Sequence, residues 1–286
     1  MSAMEPVKWS WTLPRLDFNP YILPPGNVLV SFSGGRTSGY MLHQILQAND
    51  GLPATAKVVF CNTGREDDAT LDFVQACSDR WNVQITWLEY RRIGGKVAFE
   101  EVSHNSASRN GEPFQALIDS KHGYLPNQQA RYCTEEMKVR TIKRYLVSLG
   151  WKSWVNTVGI RADEAHRLRD SKDKRWVNWF PLAAAIATKR TVMEFWNRQS
   201  FDLYIKPGRG NCVGCFLKSE ATLAAHWRDD PAHMQWWANQ ELAKGSTFHK
   251  SRNYAELGSF VDRQGDWIFD SRNDALCQAD GGECTG

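Results

Sequence analysis

Val28-Leu29-Val30-Ser31-Phe32-Ser33-Gly34-Gly35-Arg36-Thr37-Ser38 is the stretch that decides the fold. Its first five residues are a short apolar run of strand type, the glycine pair predicts a tight turn, and the residues from about Ser38 to Gln47 carry a helical pattern. A strand, a turn and a helix in that order put two glycines at a helix start. There the backbone can approach an anion closely, and free amides and the helix dipole favour negative charge. Ser33 and Ser38 add hydroxyl donors. No lysine follows the glycines and no Gly-x-Gly-x-x-Gly is formed, so neither of the two commonest nucleotide loops is present. Ser31, Ser33, Gly34, Gly35, Arg36, Thr37 and Ser38 are candidates for holding the phosphates of a nucleotide; the competing reading is a sharp turn with no ligand.

The alternation continues downstream. Lys57 to Cys61 reads as a second buried strand, Asp68 to Arg80 as a second helix and Val83 to Leu88 as a third strand. Such alternation predicts an α/β fold: a parallel twisted sheet with helices on both faces, binding ligands beyond the carboxyl ends of its strands. Gly94 to Gln129 is polar and glycine-containing and predicts a mobile loop or lid. Thr134 to Gly150 is helical, Trp154 to Ile160 a strand and Thr191 to Gln199 a short helix. The predicted organisation is an irregular, proline-rich arm (1–26), a nucleotide-binding α/β domain carrying a cysteine site (27–220), and a tryptophan-rich helical region with a polar tail (221–286).

Bulk properties bound the function. The charge of +3, from 35 basic and 32 acidic residues, argues for no particular polyanionic partner, so local clusters must carry any such argument. No apolar run is long enough to span a bilayer and no signal-peptide pattern opens the chain, which predicts a cytoplasmic protein without a membrane partner. In such a reducing setting, seven cysteines are metal ligands, nucleophiles or buried fillers more often than disulfides. Cys212-Val213-Gly214-Cys215 has the spacing at which two thiolates grip one metal or cluster; zinc and iron-sulfur both satisfy it. Most of the 13 tryptophans are expected in packing.

The Ser-Gly-Gly-x-x-Ser loop at 33–38 resembles the signature of the phosphoadenosine phosphosulfate (PAPS) reductase family, within the PP-loop, adenine nucleotide alpha hydrolase-like group; many members have Asp where Thr37 stands. Asn62-Thr63-Gly64-Arg65-Glu66 is similar to the Asp-Thr-Gly-Arg segment of that family, and Gly159-Ile160-Arg161 to its Gly-x-Arg segment. Trp179-Phe180-Pro181-Leu182 resembles its Asn-Pro-Leu. The resemblance implies that Asn62, Thr63, Gly64, Arg65 and Gly159 border a bound ATP or sulfonucleotide, with Mg²⁺ a candidate companion, and that Arg161 serves the substrate. Aligned on Lys138-Val139, Cys133 stands on the first cysteine of a pair found in cluster-bearing adenylyl-sulfate reductases, and Thr134 on the second. Cys133, Cys212 and Cys215 are then three ligands of a [4Fe-4S] cluster, with Lys138 beside the substrate. Glu283-Cys284 resembles the tail whose cysteine attacks the sulfonucleotide, although Thr285 replaces a glycine and no histidine follows.

Three activities follow as expectations. One is reduction of a sulfonucleotide to sulfite with a thioredoxin-like reductant, Cys284 being the nucleophile. Another is ATP-dependent sulfur insertion into a nucleic acid or small molecule. The third is a non-catalytic nucleotide or redox sensor.

Overall fold

The structure is a computed structural model and describes residues 19–121, 124–249 and 253–264. Most of the predicted arm, together with Cys277, Cys284 and the rest of the tail, lies outside the described residues.

Strand β1 (Val28–Phe32) leads into α1 (Arg36–Ala48), β2 (Ala56–Asn62), α2 (Asp68–Arg80), β3 (Ile85–Ile93) and β4 (Lys96–Val102). Then come α3 (Glu112–Asp119), α4 (Tyr132–Thr134), a π-helical turn (Glu135–Arg140) and α5 (Thr141–Ser148). Next are β5 (Trp154–Thr157), β6 (Trp176–Trp179), α6 (Pro181–Ala184), α7 (Lys189–Trp196), α8 (Glu220–Asp229), α9 (Pro231–Lys244) and α10 (Tyr254–Gln264).

The sheet has six strands in the order β4-β3-β2-β1-β5-β6. All neighbours are parallel except β3 and β4, an antiparallel hairpin. The segment expected to be a lid therefore contributes an edge strand and a helix. Gly94-Gly95 makes the hairpin turn, and β4 is half-exposed along its length, so its alternation is weak in sequence.

The chain builds outward from β1 to β4 and then returns to place β5 on the other side of β1. That return makes the β1–β5 boundary the topological switch point, where ligands of open α/β sheets bind.

Alternate residues of the strands face two layers. Val30, Phe32, Val58 and Phe60 pack with Met41 and Ile45 of α1, Leu71 and Val74 of α2, and Trp196 of α7. On the other face Leu29, Val59, Cys61 and Leu88 pack with Tyr145 and Leu146 of α5. A third core joins Phe114 and Met137 to Trp237, Phe248 and Tyr254 of the helical C-terminal region. Trp87, Trp154, Trp196 and Trp237 are buried, as packing tryptophans should be.

Candidate functional site

At the carboxyl end of β1 the backbone turns through Gly34, whose φ of 79° is costly for residues with a Cβ. A Cβ there would also stand 2.8 Å from Thr70 Cγ2 and 3.1 Å from Phe60 Cε2. Gly35 is the N-cap of helix α1, which has no side-chain cap and no acid in its first turn. Its first amides are thus left to an incoming anion rather than to a protein carboxylate.

The loop's side chains mostly brace it. Ser38 is 1 % exposed. Its hydroxyl accepts from the Ser33 amide at 3.2 Å and from the Ser33 hydroxyl at 3.0 Å, and donates to the Gly35 carbonyl at 2.9 Å. Arg36 reaches away to Asp202, at 2.7 and 2.9 Å, and to the Leu203 carbonyl at 2.5 Å. The indole of Trp196 donates to the Arg36 carbonyl at 2.8 Å. Ser31 bonds Asn156 on the opposite face of its strand from the α1 core. Arg36 and Ser38 are thus engaged in bracing the loop, and its backbone amides are the donors at the helix start.

Across the switch point Gly159 packs on the start of α1: a Cβ there would meet Thr37 Cγ2 at 3.6 Å and Ser38 Cα at 3.7 Å. Arg161 follows, 3 % exposed. Its Nη1 donates to Thr37 Oγ1 at 3.1 Å and its Nε to Asp163 at 2.9 Å, with Glu164 3.4 Å away. The guanidinium therefore stands against the phosphate loop, in the strand-end position expected of it.

The loop after β2 closes on itself. Glu66 accepts from the Thr63 amide (2.9 Å), the Thr63 hydroxyl (2.8 Å) and the Arg65 amide (3.2 Å). Asn62 donates to buried Glu89 at 2.6 Å and to the Ser108 carbonyl at 2.8 Å, and accepts from the Gly64 amide at 3.0 Å. Arg65 points to the helical C-terminal region, donating to the His233 carbonyl at 2.7 Å with Trp236 beneath it at 4.8 Å. Burial lowers this guanidinium to about 10.

The same loop carries the cysteine site. Glu66 and Cys212 form an isolated antiparallel bridge, the Val213 amide donates to the Arg65 carbonyl at 2.8 Å, and Thr63 Oγ1 lies 3.2 Å from Cys212 Sγ. Cys133, Cys212 and Cys215, brought from two distant parts of the sequence, line one cavity of about 50 Å³ with Thr134, Lys138 and Arg131. Lys138 sits on the π-helical turn, an irregularity often found at functional sites. Burial pushes the Cys133 thiol up to about 11 and that of Cys212 to about 12, while Lys138 pulls both down.

The thiols border the cavity rather than converge on a point. Among the described residues no group of three or more His, Cys, Asp or Glu is placed to hold a single metal ion. Three thiols lining one cavity with Lys138 and Arg131 are soft donors of the kind that could hold a thiophilic metal or cluster.

The C-terminal helices hold the Cys-x-x-Cys turn by its backbone. Trp237 Nε1 donates to the Val213 carbonyl at 2.8 Å and the Tyr254 hydroxyl to the Gly214 carbonyl at 2.5 Å. His226 Nδ1 accepts from the Gly214 amide at 3.3 Å. Lys218, 4 % exposed, is cupped by the carbonyls of Gly208 and Gly210 at 2.5 and 2.9 Å. Arg209 joins the cap residues of two helices, Asp67 at 2.5 Å and Asp230 at 3.3 Å. Sequence reasoning missed Glu66, Lys218, Arg209, Trp237 and Tyr254 as supports of the site. Arg209 and Lys218 flank the cysteines closely enough to have been considered; the others have no local signal.

The family described as "Phosphoadenosine phosphosulfate reductase domain" matches residues 27–201. The chain is 28% identical over 209 residues to the "Uncharacterized nin region protein ORF290" of Escherichia phage lambda, covering 71% of this chain and 70% of that protein. It is also similar to the crystal structure of a phosphoadenylyl-sulfate (PAPS) reductase from Candida auris in its phosphate complex. There the TM-score is 0.41 with 15% sequence identity, over 64% of this chain and 80% of the other.

Proposed function

Since the chain belongs to the phosphoadenosine phosphosulfate reductase domain family, we propose that it is an adenosine-nucleotide enzyme of sulfur chemistry, reducing a sulfonucleotide to sulfite. The observation that carries this reading is the loop Thr63–Glu66. It leaves the strand next to the phosphate loop and pairs directly with Cys212-Val213, so nucleotide crevice and cysteine cavity share one edge of the sheet.

In this reading the α1 amides and Arg161 hold the nucleotide's anionic groups, and Lys138 offsets charge on the transferring sulfonate. A [4Fe-4S] cluster held by Cys133, Cys212 and Cys215 would supply a fixed electrostatic centre beside that charge. Zinc is the rival occupant, although thiols bordering a cavity suit a cluster better than one ion. The Cys284 thiolate, outside the described residues, attacks sulfur. An S–S bond forms, the S–O bond to the nucleotide phosphate breaks, and the nucleotide leaves as its phosphate. A thioredoxin-like dithiol then displaces sulfite from the sulfocysteine, becoming a disulfide as Cys284 regains its thiol.

A second reading is favoured by Thr134, which lines the cavity where a further cysteine would close the ligand set. Here ATP adenylates an acceptor oxygen with release of pyrophosphate; a sulfide-level donor then forms the new bond to the acceptor as the bond to that oxygen breaks, and the oxygen leaves with AMP.

Anaerobic purification with iron, sulfide and zinc quantified, on the parent and Cys133→Ala, tests both. Iron and sulfide lost in the variant support the cluster. Sulfite release from a sulfonucleotide then selects the reductase, and pyrophosphate release from ATP the sulfur-insertion enzyme. Stoichiometric zinc without iron overturns both cluster mechanisms.

A further inference from the structure

The hydroxyl of Ser31 begins a ladder of polar side chains that the nucleotide crevice does not use. Ser31 Oγ donates to Asn156 Oδ1 at 2.7 Å, Asn156 Nδ2 to Asn178 Oδ1 at 3.0 Å, and Asn178 Nδ2 to the Arg169 carbonyl at 3.0 Å. The ladder crosses β1, β5 and β6, two strand spacings or about 10 Å, and all three side chains are half-buried. It therefore forms a polar track from the phosphate-loop strand to the edge of the sheet.

At that edge lies a basic segment. Arg169, Lys172, Lys174 and Arg175 are exposed, and of the four Arg175 is close enough to Asp173 for its charge to help lower that carboxyl, behind Lys143 and the Arg175 amide. The neighbouring acids are mostly spent inward. Asp173 pairs with Lys143 and caps the turn by accepting from the Arg175 amide at 3.0 Å. Glu164 is 2 % exposed and pairs with Arg161 and Arg167. Asp170 alone remains exposed among the four cations. From Arg169 to Arg175 four cations stand against Asp170 and Asp173, so this short segment carries a net +2 in a chain whose overall balance is +3.

Clustered cations recognise a polyanion, and amide side chains on an adjoining track match the donor and acceptor edges of unpaired bases. A lipid surface would satisfy the cations but would leave the amide track without a partner. We infer that the segment Arg169 to Arg175 and the Ser31–Asn156–Asn178 track form a docking surface for single-stranded nucleic acid. This deepens the second reading above by naming the class of its acceptor, while strand binding itself requires neither reaction.

The test is fluorescence anisotropy of the full chain with labelled single-stranded RNA and DNA oligonucleotides of mixed sequence, titrated at several salt concentrations. ATP binding is measured on the same samples. With four cations engaged, log affinity falls with log salt at a slope of about −3, and affinity drops about 50-fold between 50 and 200 mM salt. Replacing Arg169, Lys172, Lys174 and Arg175 together by Gln removes most of that slope, while the thermal midpoint and ATP affinity stay at the parent's values. Asn178→Leu keeps the slope and weakens discrimination among sequences. The proposal is overturned if the parent binds neither strand, if the four-site variant keeps the parent's slope, or if phosphatidylserine vesicles and not oligonucleotides depend on these residues. Loss of ATP binding in the parent would sink the phosphate-loop reading and leave the strand result to stand separately.

Discussion

Arg161 donates from Nη1 to the hydroxyl of Thr37 across 3.1 Å, and this contact ties the strand end after β5 to the first turn of α1 over the switch point of the sheet. Thr37 stands where resembling sequences often have Asp, so here the partner of the guanidinium within the loop is neutral. Asp163 and Glu164 supply its countercharge instead.

The two members of that contact have different worth. Arg161→Gln leaves Glu164, 2 % exposed, short of one of its cations; breaking a buried pair of this kind costs about 3 kcal/mol. Thr37→Val removes one hydrogen bond and costs about 1 kcal/mol. Urea denaturation of both variants checks the ratio. Equal losses would mean that Arg161 is held by Thr37 and not by the carboxylates.

The phosphate loop was legible because glycine pair, strand and helix all lie within a few residues. The cysteine cavity was only half legible. Cys212 and Cys215 announce themselves by spacing, but nothing local says that Cys133 joins them; the long-range packing of the π-helical turn on β2 does that, and only the resemblance anticipated it. Strand β4 was missed because an edge strand exposed along much of both faces loses its alternation. Glu66 was quoted as part of a motif, yet its role in filling the loop's amides depends on a closed backbone that composition does not reveal.

Gly214 should tolerate no side chain. Its φ is 80°, and a Cβ would collide with Trp237 Nε1, the group that holds the neighbouring Val213 carbonyl. Gly214→Ala is expected to cost about 2 kcal/mol or more through strain and overpacking. It should also lower bound iron after anaerobic purification. Trp237→Phe, which keeps the ring bulk and loses the N–H, should cost about 1–3 kcal/mol by leaving the carbonyl unsatisfied. Thermal melts with iron analysis on both variants separate strain in the turn from loss of its clamp.

Acid should loosen the helical C-terminal region before it touches the sheet. Burial, then the Arg65 charge, holds His233 down at about 4 against its ordinary 6.5. Below pH 6.5 the unfolded chain therefore binds a proton that the folded chain refuses. Its stability contribution is complete above that value and is lost as pH falls toward about 4. His226, lowered to about 2 by burial and by Lys218, adds in the same direction. Denaturant midpoints between pH 7 and 4 should fall in the parent and fall less in His233→Gln, the difference approaching about 3 kcal/mol at the acid end. An unchanged slope in the variant would mean that His233 titrates normally.

Ser33 and Ser38 look alike in sequence, but the structure gives them separable tasks. Ser38 is buried and its hydroxyl makes three contacts inside the turn, with the Ser33 amide, the Ser33 hydroxyl and the Gly35 carbonyl. Ser33 is half-buried at the crevice, and its hydroxyl is turned inward only by the bond to Ser38. Ser38→Ala leaves the half-buried Ser33 amide without that partner, while the Gly35 carbonyl keeps the Gly39 amide at 3.0 Å, so it should cost about 1 kcal/mol of stability. Because the loop amides then lose their fixed direction, nucleotide affinity should fall about tenfold or more. Ser33→Ala removes only one partner of an already braced turn; its stability should change by less than about 1 kcal/mol, and any loss of affinity reports a hydroxyl that turns outward to the phosphate. Calorimetric titration with ATP and with a sulfonucleotide, beside urea denaturation, reads both quantities. If Ser38→Ala keeps parental affinity, preorganisation of the loop is not what binds the phosphate, and the anion must be held chiefly by Arg161.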